Sequence, residues 1–367
     1  MPQRSARLAD VARAAGVSVP TASQVMNDTG RVAEATRQRV LDAARDLDYR
    51  PNALARSVAL GRSRTIGVLA ENAAGAFCMP VLIGINRALS DHDLASILYD
   101  ARHDPQRRHQ HVRHMLDRQV DGIIVIGEGP DVPIADIGAS DSHPVVHAFG
   151  PHEPDRAVSV HPDEHAGGAL AARTLLEAGR RRIAHVTAAA ALPSVRERAD
   201  GFTAAVHAAG REPAVILHGE FSRDWGHRAA ELLLAQAPDT DAVFAGSDAI
   251  AIGLAAGLEA AGVRVPDDIA IIGYDHVAGY GEDADPYLAS IDPRLTAVGE
   301  RAAQYLIAAL DEDDTADATP IAPAYAPGAT VRGGDAARLH LVETLLRTVT
   351  APPVRGTSSS TPDADPR

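Results

Sequence analysis

The stretch AGVSVPTASQVMN, residues 15–27, decides how the first fifty residues fold. Gly16 follows LADVARAA (8–15), in which Leu8, Val11, Ala12 and Ala15 recur at helical spacing, so it ends one short helix. Ser18 is a good N-cap for a second helix. Pro20 then falls in that helix's first turn, where a missing N–H costs nothing. The proline marks a helix start. Next, VAEATRQRVLDAARDLDY (32–49) places Val32, Ala35, Val40, Ala43, Ala44 and Leu47 on one broad face. Two short helices around a Gly-containing turn, with a third packed on them, predict a helix-turn-helix unit.

Charge sets this head apart from the rest. The 367-residue chain carries a net −14, yet residues 1–64 hold 11 Arg against 6 Asp plus Glu. A small basic head on an acidic body fits a nucleic-acid-binding module, although a plain basic arm has the same composition. The length allows two or three domains, and 46% hydrophobic with 23% charged residues is ordinary for soluble globular protein. The single cysteine, Cys78, allows no internal disulfide, so a cytoplasmic location is expected. The opening residues carry no apolar run of the kind an export signal needs, and no stretch is long and apolar enough to predict a membrane span.

From Arg64 the texture changes to apolar runs alternating with helical ones. TIGVLA, ASILYD, GIIVIG, PVVHAFG and AVSV are strand-like, followed by RIAHVTA, AVILHG, AVFAGS and IAIIGYD, with helical patterns between. Such alternation predicts parallel sheets in right-handed βαβ units, and so many strands over about 270 residues predict two sheets. Ligands of these folds sit beyond the carboxyl ends of the strands, so the loops there matter most.

Taken together and in order, several segments resemble the LacI/GalR family of transcriptional regulators. They are LADVARAAGVSVPTASQVMN, TRQRVLDAARDLDYRPNALARSVALGRSRTIGVL, HAGGALAARTLLEAGRRRIAHV, RERADGFTAAVHAAG, GSDAIAIGLAAGLEAAGVRVPDDIAIIGYD and ATVRGG. The resemblance spans roughly residues 7–334. It implies an N-terminal all-α helix-turn-helix domain (1–50) and a hinge helix with linker (51–64). It also implies an α/β two-lobed, periplasmic-binding-protein-like (type I) effector domain with parallel sheets (65–334). A C-terminal extension (335–367) follows, with a helix expected over 335–349 and a disordered tail. Apolar Leu339, Val342, Leu345, Leu346 and Val349 suit either docking on the body or assembly into tetramers.

What the resemblance implies for function is a regulator, in the usual case a repressor, whose affinity for operator DNA is changed by a small-molecule effector. The expected DNA-binding residues are Ser18, Val19, Pro20, Thr21, Ala22, Gln24, Asn27, Arg31, Asn52, Ala55, Arg56 and Val58. The family's usual Val and Arg stand here as Ala22 and Gln24. Glutamine pairs with the N6/N7 edge of adenine whereas arginine prefers guanine, so an altered operator is expected. Arg56 and Arg62 are candidates for phosphate contact. Val58 occupies the place of a leucine that wedges into the minor groove, and its shorter side chain makes a shallower wedge. Few base contacts per head imply a homodimer on a near-palindromic site.

The effector positions implied by the resemblance are Phe77, Asp100, Asp163, Arg198, Trp225, Ser247 and Asp275. Arginine can clamp hydroxyls or a carboxylate, the aspartates accept from polyols, and the lone tryptophan offers a face for a sugar ring. These chemistries fit a sugar best, with a nucleoside or another metabolite as alternatives. The chain departs from the family at GAFC (75–78), at Ser247 and at Asp275-His276, which leaves the ligand open.

Other constellations are weaker. His103, His109, His111 and His114 crowd one segment, but only His111 and His114 share a helix face, so no metal is expected. GSDA (246–249) lacks the second glycine of a nucleophile elbow, and no phosphate-binding glycine loop or other cofactor motif occurs. No enzyme activity is expected. The rival readings are a ligand sensor that does not read DNA and a solute-binding protein of the same two-lobed fold.

Overall fold

The computed structural model describes residues 6–27, 29–49, 62–138, 143–151, 158–277, 287–313, 317 and 319–332. The hinge segment, with Asn52, Ala55, Arg56 and Val58, and the helix expected over 335–349 lie outside the described residues. Among the described residues no helix is long and apolar enough to cross a membrane.

The head is three helices: α1 (Leu8–Ala15), α2 (Val19–Met26) and α3 (Glu34–Asp46). Gly16 ends α1 in the left-handed conformation at φ 67°, and the Ser18 hydroxyl caps α2 by accepting from the Thr21 N–H at 3.2 Å. Val11, Ala12, Ala15, Ala22, Val25, Val40, Ala43 and Ala44 form its core. The third helix is shorter than its sequence pattern. Ala33 is its N-cap and Leu47 its C-cap, so Ala35 and Leu47 are exposed rather than on the packed face.

The body holds two sheets. The first contains β1 (Thr65–Ala70), β2 (Ala95–Asp100), β3 (Gly122–Ile126), β4 (Val145–Ala148) and β5 (Val158–Val160), all parallel in the order β2-β1-β3-β4-β5. The second contains β6 (Ile183–Ala188), β7 (Ile216–Gly219), β8 (Ala242–Ala245), β9 (Ala270–Tyr274), β10 (Ala289–Asp292) and β11 (Ala324–Ala326). Its order is β11-β10-β9-β8-β6-β7, with only β11 antiparallel. Inner strands such as β3, β6, β8 and β9 are buried along their whole length, because helices cover both faces.

Those helices are α4 (Cys78–Asp91), α5 (Pro105–Asp117), α6 (Glu164–Glu177), α7 (Pro193–Ala208), α8 (Arg223–Gln236), α9 (Asp248–Ala260), α10 (Leu295–Leu310) and the short α11 (Ala329–Arg332). Although α10 follows the second sheet in sequence, it packs on the first, with Leu295, Val298, Ala302 and Leu306 against Ile66, Ile124 and Val146. The chain therefore crosses between lobes three times: after β5, after β10 and after α10. The first and third crossings are tied together, because the Asp163 N–H donates to the Ile321 carbonyl and the Ile321 N–H to the His161 carbonyl, each at 2.9 Å.

Three helix pairs cross at reciprocal glycines. A Cβ on Gly84 would lie 1.9 Å from the Thr296 carbonyl oxygen, and one on Gly299 would lie 2.0 Å from that of Val81, so α4 and α10 touch backbone to backbone. Gly168 and Gly201 do the same for α6 and α7, and Gly226 and Gly253 for α8 and α9. No other residue permits that approach.

Candidate functional site

The outward face of α2 carries Val19 (45% exposed), Pro20 and Gln24, with Thr21 half-buried. Ala22 is fully buried against Val11, Val25 and Val40, which corrects the expectation that it faces a groove. The 3.6-residue period explains the correction: positions 22 and 25 turn inward when 20 and 24 turn outward. Asn27 caps the far end and donates to the Ser23 hydroxyl at 3.2 Å, and Arg31 is exposed beyond it.

Where the chain enters the body, Asp121 accepts the N–H groups of Ser63 and Arg64, each at 2.7 Å. Arg62 places one guanidinium nitrogen 2.8 Å from an Asp311 carboxylate oxygen and another on the Leu310 carbonyl, both at the end of α10. It is therefore held against lobe one rather than free to reach phosphate. A guanidinium at a helix C-terminus is also favoured by the helix dipole.

Between the lobes lies a cavity of about 440 Å³. Every wall residue follows the carboxyl end of a strand: Phe77 after β1, Glu128 to Val132 after β3, and Phe149 after β4. From the other lobe come Leu192, Ser194 and Arg198 after β6, Phe221 after β7, Ser247 and Ala249 after β8, and Asp275 and Val277 after β9. Phe77 and Phe149 meet edge to face with centroids 5.5 Å apart. Both lobes contribute aromatic and polar side chains to its wall.

Arg198 forms the polar floor and is buried. Its Nε donates to Glu164 at 2.6 Å, one terminal nitrogen donates to the Gly246 carbonyl at 2.7 Å, and the guanidinium lies 3.6 Å over the Tyr274 ring. Burial is the largest single influence and works against this charge, but Glu164 together with Tyr274 and Asp275 outweighs it, so the guanidinium holds its proton more firmly than a free arginine. A ligand therefore meets a hydrogen-bond donor already neutralised by Glu164, not a free cation. Asp275 stands beside it at φ 101°, a left-handed backbone that turns the carboxyl into the cleft. Burial pushes its pKa well above the ordinary carboxylate value, against the pull of Arg198. Behind it, burial raises Asp248 to about 6 although Ser290 and the Val277 N–H both hydrogen-bond it.

One contact spans the cleft. The Asp131 carboxylate of lobe one accepts the Ser194 N–H at 2.8 Å and the Ser194 hydroxyl at 2.5 Å. Ser194 sits in the first turn of α7, whose N-cap Leu192 has no capping side chain. A carboxylate from the opposite lobe thus completes the helix end.

Phe77, Arg198, Ser247 and Asp275 thus come together at the cavity. The other three expected effector positions do not. Asp100 holds the β1 loop by accepting from the Ala73 and Arg102 N–H groups, and Asp163 caps α6 through the Ala166 N–H at 2.8 Å. Trp225 is 7% exposed in the core of lobe two, its indole N–H donating to the Thr187 carbonyl at 3.0 Å, so it offers no face for a ring. Phe221, 41% exposed, is the aromatic that borders the cavity from that side. Glu128, Asp131, Phe149 and Ser194 were not foreseen, although their places just after strands were a signal. His111 and His114 lie tilted beside the Tyr99 ring, and no group of His, Cys, Asp or Glu among the described residues is disposed to hold a metal.

A helix-turn-helix head on a two-lobed body with a cleft at its strand ends defines a ligand-responsive DNA-binding regulator. Residues 7–52 match the family of bacterial regulatory proteins, lacI family, and residues 63–329 match periplasmic binding proteins and sugar binding domain of LacI family. The HTH-type transcriptional repressor PurR of Photobacterium profundum is 33% identical over 297 residues, covering 80% of this chain and 86% of its own. The HTH-type transcriptional regulator CelR of Thermobifida fusca is 33% identical over 315 residues, covering 83% and 92%. A solved CelR–cellobiose complex superposes with a TM-score of 0.59 at 28% identity, covering 89% of this chain and 99% of that one. The Lac repressor dimer bound to operator and the anti-inducer ONPF shares the fold, with a TM-score of 0.67 at 22% identity over 89% and 99%. The chain belongs to the LacI family and is a DNA-binding transcriptional regulator with a small-molecule-binding body.

Proposed function

We propose that this regulator is a cytoplasmic homodimer that reads a near-palindromic operator with α2 of each head. A neutral, polyhydroxylated small molecule, a sugar, occupies the cleft and alters that grip. The observation that carries the reading is the cavity itself. Its floor offers Arg198, Ser247 and Asp275 to hydroxyl groups, and Phe77, Phe149 and Phe221 supply ring faces. Glu128 and Asp131 line the cleft as carboxylates while its one arginine is already neutralised by Glu164, so a phosphorylated or carboxylated ligand is disfavoured. A relative solved with cellobiose has the same two-lobed body. Met79 and Ile83 on α4 and Leu98 on the edge strand β2 are 55%, 41% and 42% exposed, an apolar face that a second copy would cover.

The test is selection of bound duplexes from a random pool, with neutral sugars and with their phosphate esters. Two inverted half-sites should emerge, and a neutral sugar but not its phosphate should change the bound fraction. Affinity should fall steeply with salt, as phosphate contact requires; no enrichment of any sequence would sink the reading. In the same assay Gln24→Arg should move one base per half-site from A to G, a preference worth roughly 1–3 kcal/mol. An unchanged selected sequence would remove Gln24 from the base-reading face.

Ligand and operator are coupled through lobe closure, and each alters the other's affinity by the same factor. The Asp131–Ser194 contact holds the lobes together, so Asp131→Ala should open the cleft at a cost of about 1–3 kcal/mol to the closed form. Small-angle X-ray scattering of the unliganded variant should show a larger radius of gyration; identical curves would mean the contact does not set closure.

A further inference from the structure

We infer that Gly30 is a positioning residue for base recognition, acting through Gln24. The inference rests on the reading of Gln24 given above. After α2 the chain curls back on itself: the Asn27 N–H donates to the Ser23 carbonyl at 3.0 Å and the Thr29 N–H to the Gln24 carbonyl at 2.9 Å. This curl brings Gly30, in the left-handed region at φ 75°, beside the side chain of Gln24.

A Cβ at position 30 would lie 3.2 Å from Gln24 Cδ, 3.3 Å from Nε2 and 3.4 Å from Oε1. Three nearly equal distances mean that it would meet the carboxamide on its flat face, not at an edge. The Gln24 amide plane thus faces Gly30 across the space a side chain would fill, and its Oε1/Nε2 edge has no hydrogen-bond partner among the described residues. That edge is the one that pairs with an adenine's N6 and N7. Gln24 is otherwise exposed, and Gly30 is the neighbour that its amide plane faces. A long side chain ordered before binding loses less freedom when it binds. Any L-residue at position 30 places carbon where the amide rests and lifts it away.

The test uses the full chain and four proteins: wild type, Gly30→Asn, Gln24→Ala and the double variant, each taken through binding-site selection from a random duplex pool. Asparagine tolerates a left-handed backbone better than other side chains, so it crowds Gln24 with little backbone strain. Gly30→Ala is the second variant, with the smallest possible intrusion, should Gly30→Asn fail to fold. Gln24→Ala first identifies the base that Gln24 reads. At that base Gly30→Asn should reduce the preference about fivefold while leaving other positions within about twofold. In the Gln24→Ala background it should change nothing there. Equal losses at all positions, or the same loss in both backgrounds, would overturn the inference and leave Gly30 a loop residue only. If Gln24→Ala itself leaves every base preference intact, the reading of Gln24 fails, and this inference with it.

Discussion

Glu164→Leu should destabilise lobe two by about 3–5 kcal/mol, more than any surface change in the protein. Glu164 and Arg198 each have a side chain only 6% exposed, and they meet at 2.6 Å. Removing the carboxylate leaves a buried guanidinium with the Gly246 carbonyl, the Tyr274 ring and the raised-pKa carboxyl of Asp275 as company. Desolvation of the remaining ion, not loss of the pair's own attraction, dominates the cost. The double variant Glu164→Leu/Arg198→Met removes both charges and keeps the volume, so it should regain most of the stability while losing the donor at the cavity floor. Urea unfolding followed by Trp225 fluorescence reads the effect, because the single tryptophan lies in the core of the same lobe. A single variant within about 1 kcal/mol of wild type would show that the pair is not desolvated.

Acid should weaken the same lobe through His185. The ring is fully buried, stacked on Phe244 at 4.5 Å and 7°, with Nδ1 2.9 Å from the Phe244 carbonyl. Burial lowers its pKa from 6.5 to about 3; His218 and Arg198 push the same way, and the Phe244 carbonyl opposes them. Below pH 6.5 the unfolded chain takes a proton that the folded one refuses. Stability is therefore lost as pH falls from 6.5 toward 3, at about 1.4 kcal/mol per pH unit. Asp248 works in the opposite sense. Its folded pKa of about 6 exceeds the unfolded value of 3.8, so it adds stability as pH falls through that interval and flattens the total curve. The His185 contribution is isolated by comparison with His185→Asn, whose amide can still donate to the Phe244 carbonyl but cannot charge. Between about pH 6.5 and 5 the wild-type advantage over this variant should shrink by about 2 kcal/mol. A constant difference would contradict the argument.

Much of this was legible from sequence because buried parallel strands read as unbroken apolar runs such as GIIVIG, and ligand sites lie just after them. Phe77, Arg198, Ser247 and Asp275 follow from that rule together with the family resemblance. The failures have physical causes. Trp225 stands near a strand end, where a stacking platform is expected. However, Gly219 leaves a slot within the lobe that the indole fills, since a Cβ there would lie 2.3 Å from the ring. Ala22 is expected on the reading face from the family resemblance, whereas helical period turns it into the core. Asp131 was missed because a helix cap is sought next to the helix in sequence, and this one arrives from the other lobe. The glycine crossings were equally hidden. Gly84 and Gly299 look like weak points in two helices until the two backbones are seen to touch.

The return of α10 to the first sheet sets an order on the ribosome. β1 to β5 emerge early, but the helix that seals Ile66, Ile124 and Val146 is translated only after β6 to β10. Throughout that interval the nascent first lobe keeps an oily face open, while most of the second already has its partners. A polypeptide that stops short of residue 295 cannot close that face, however well its five strands pair. The gene cannot be cut between the lobes, because the long helix made after β10 belongs to the first-made half.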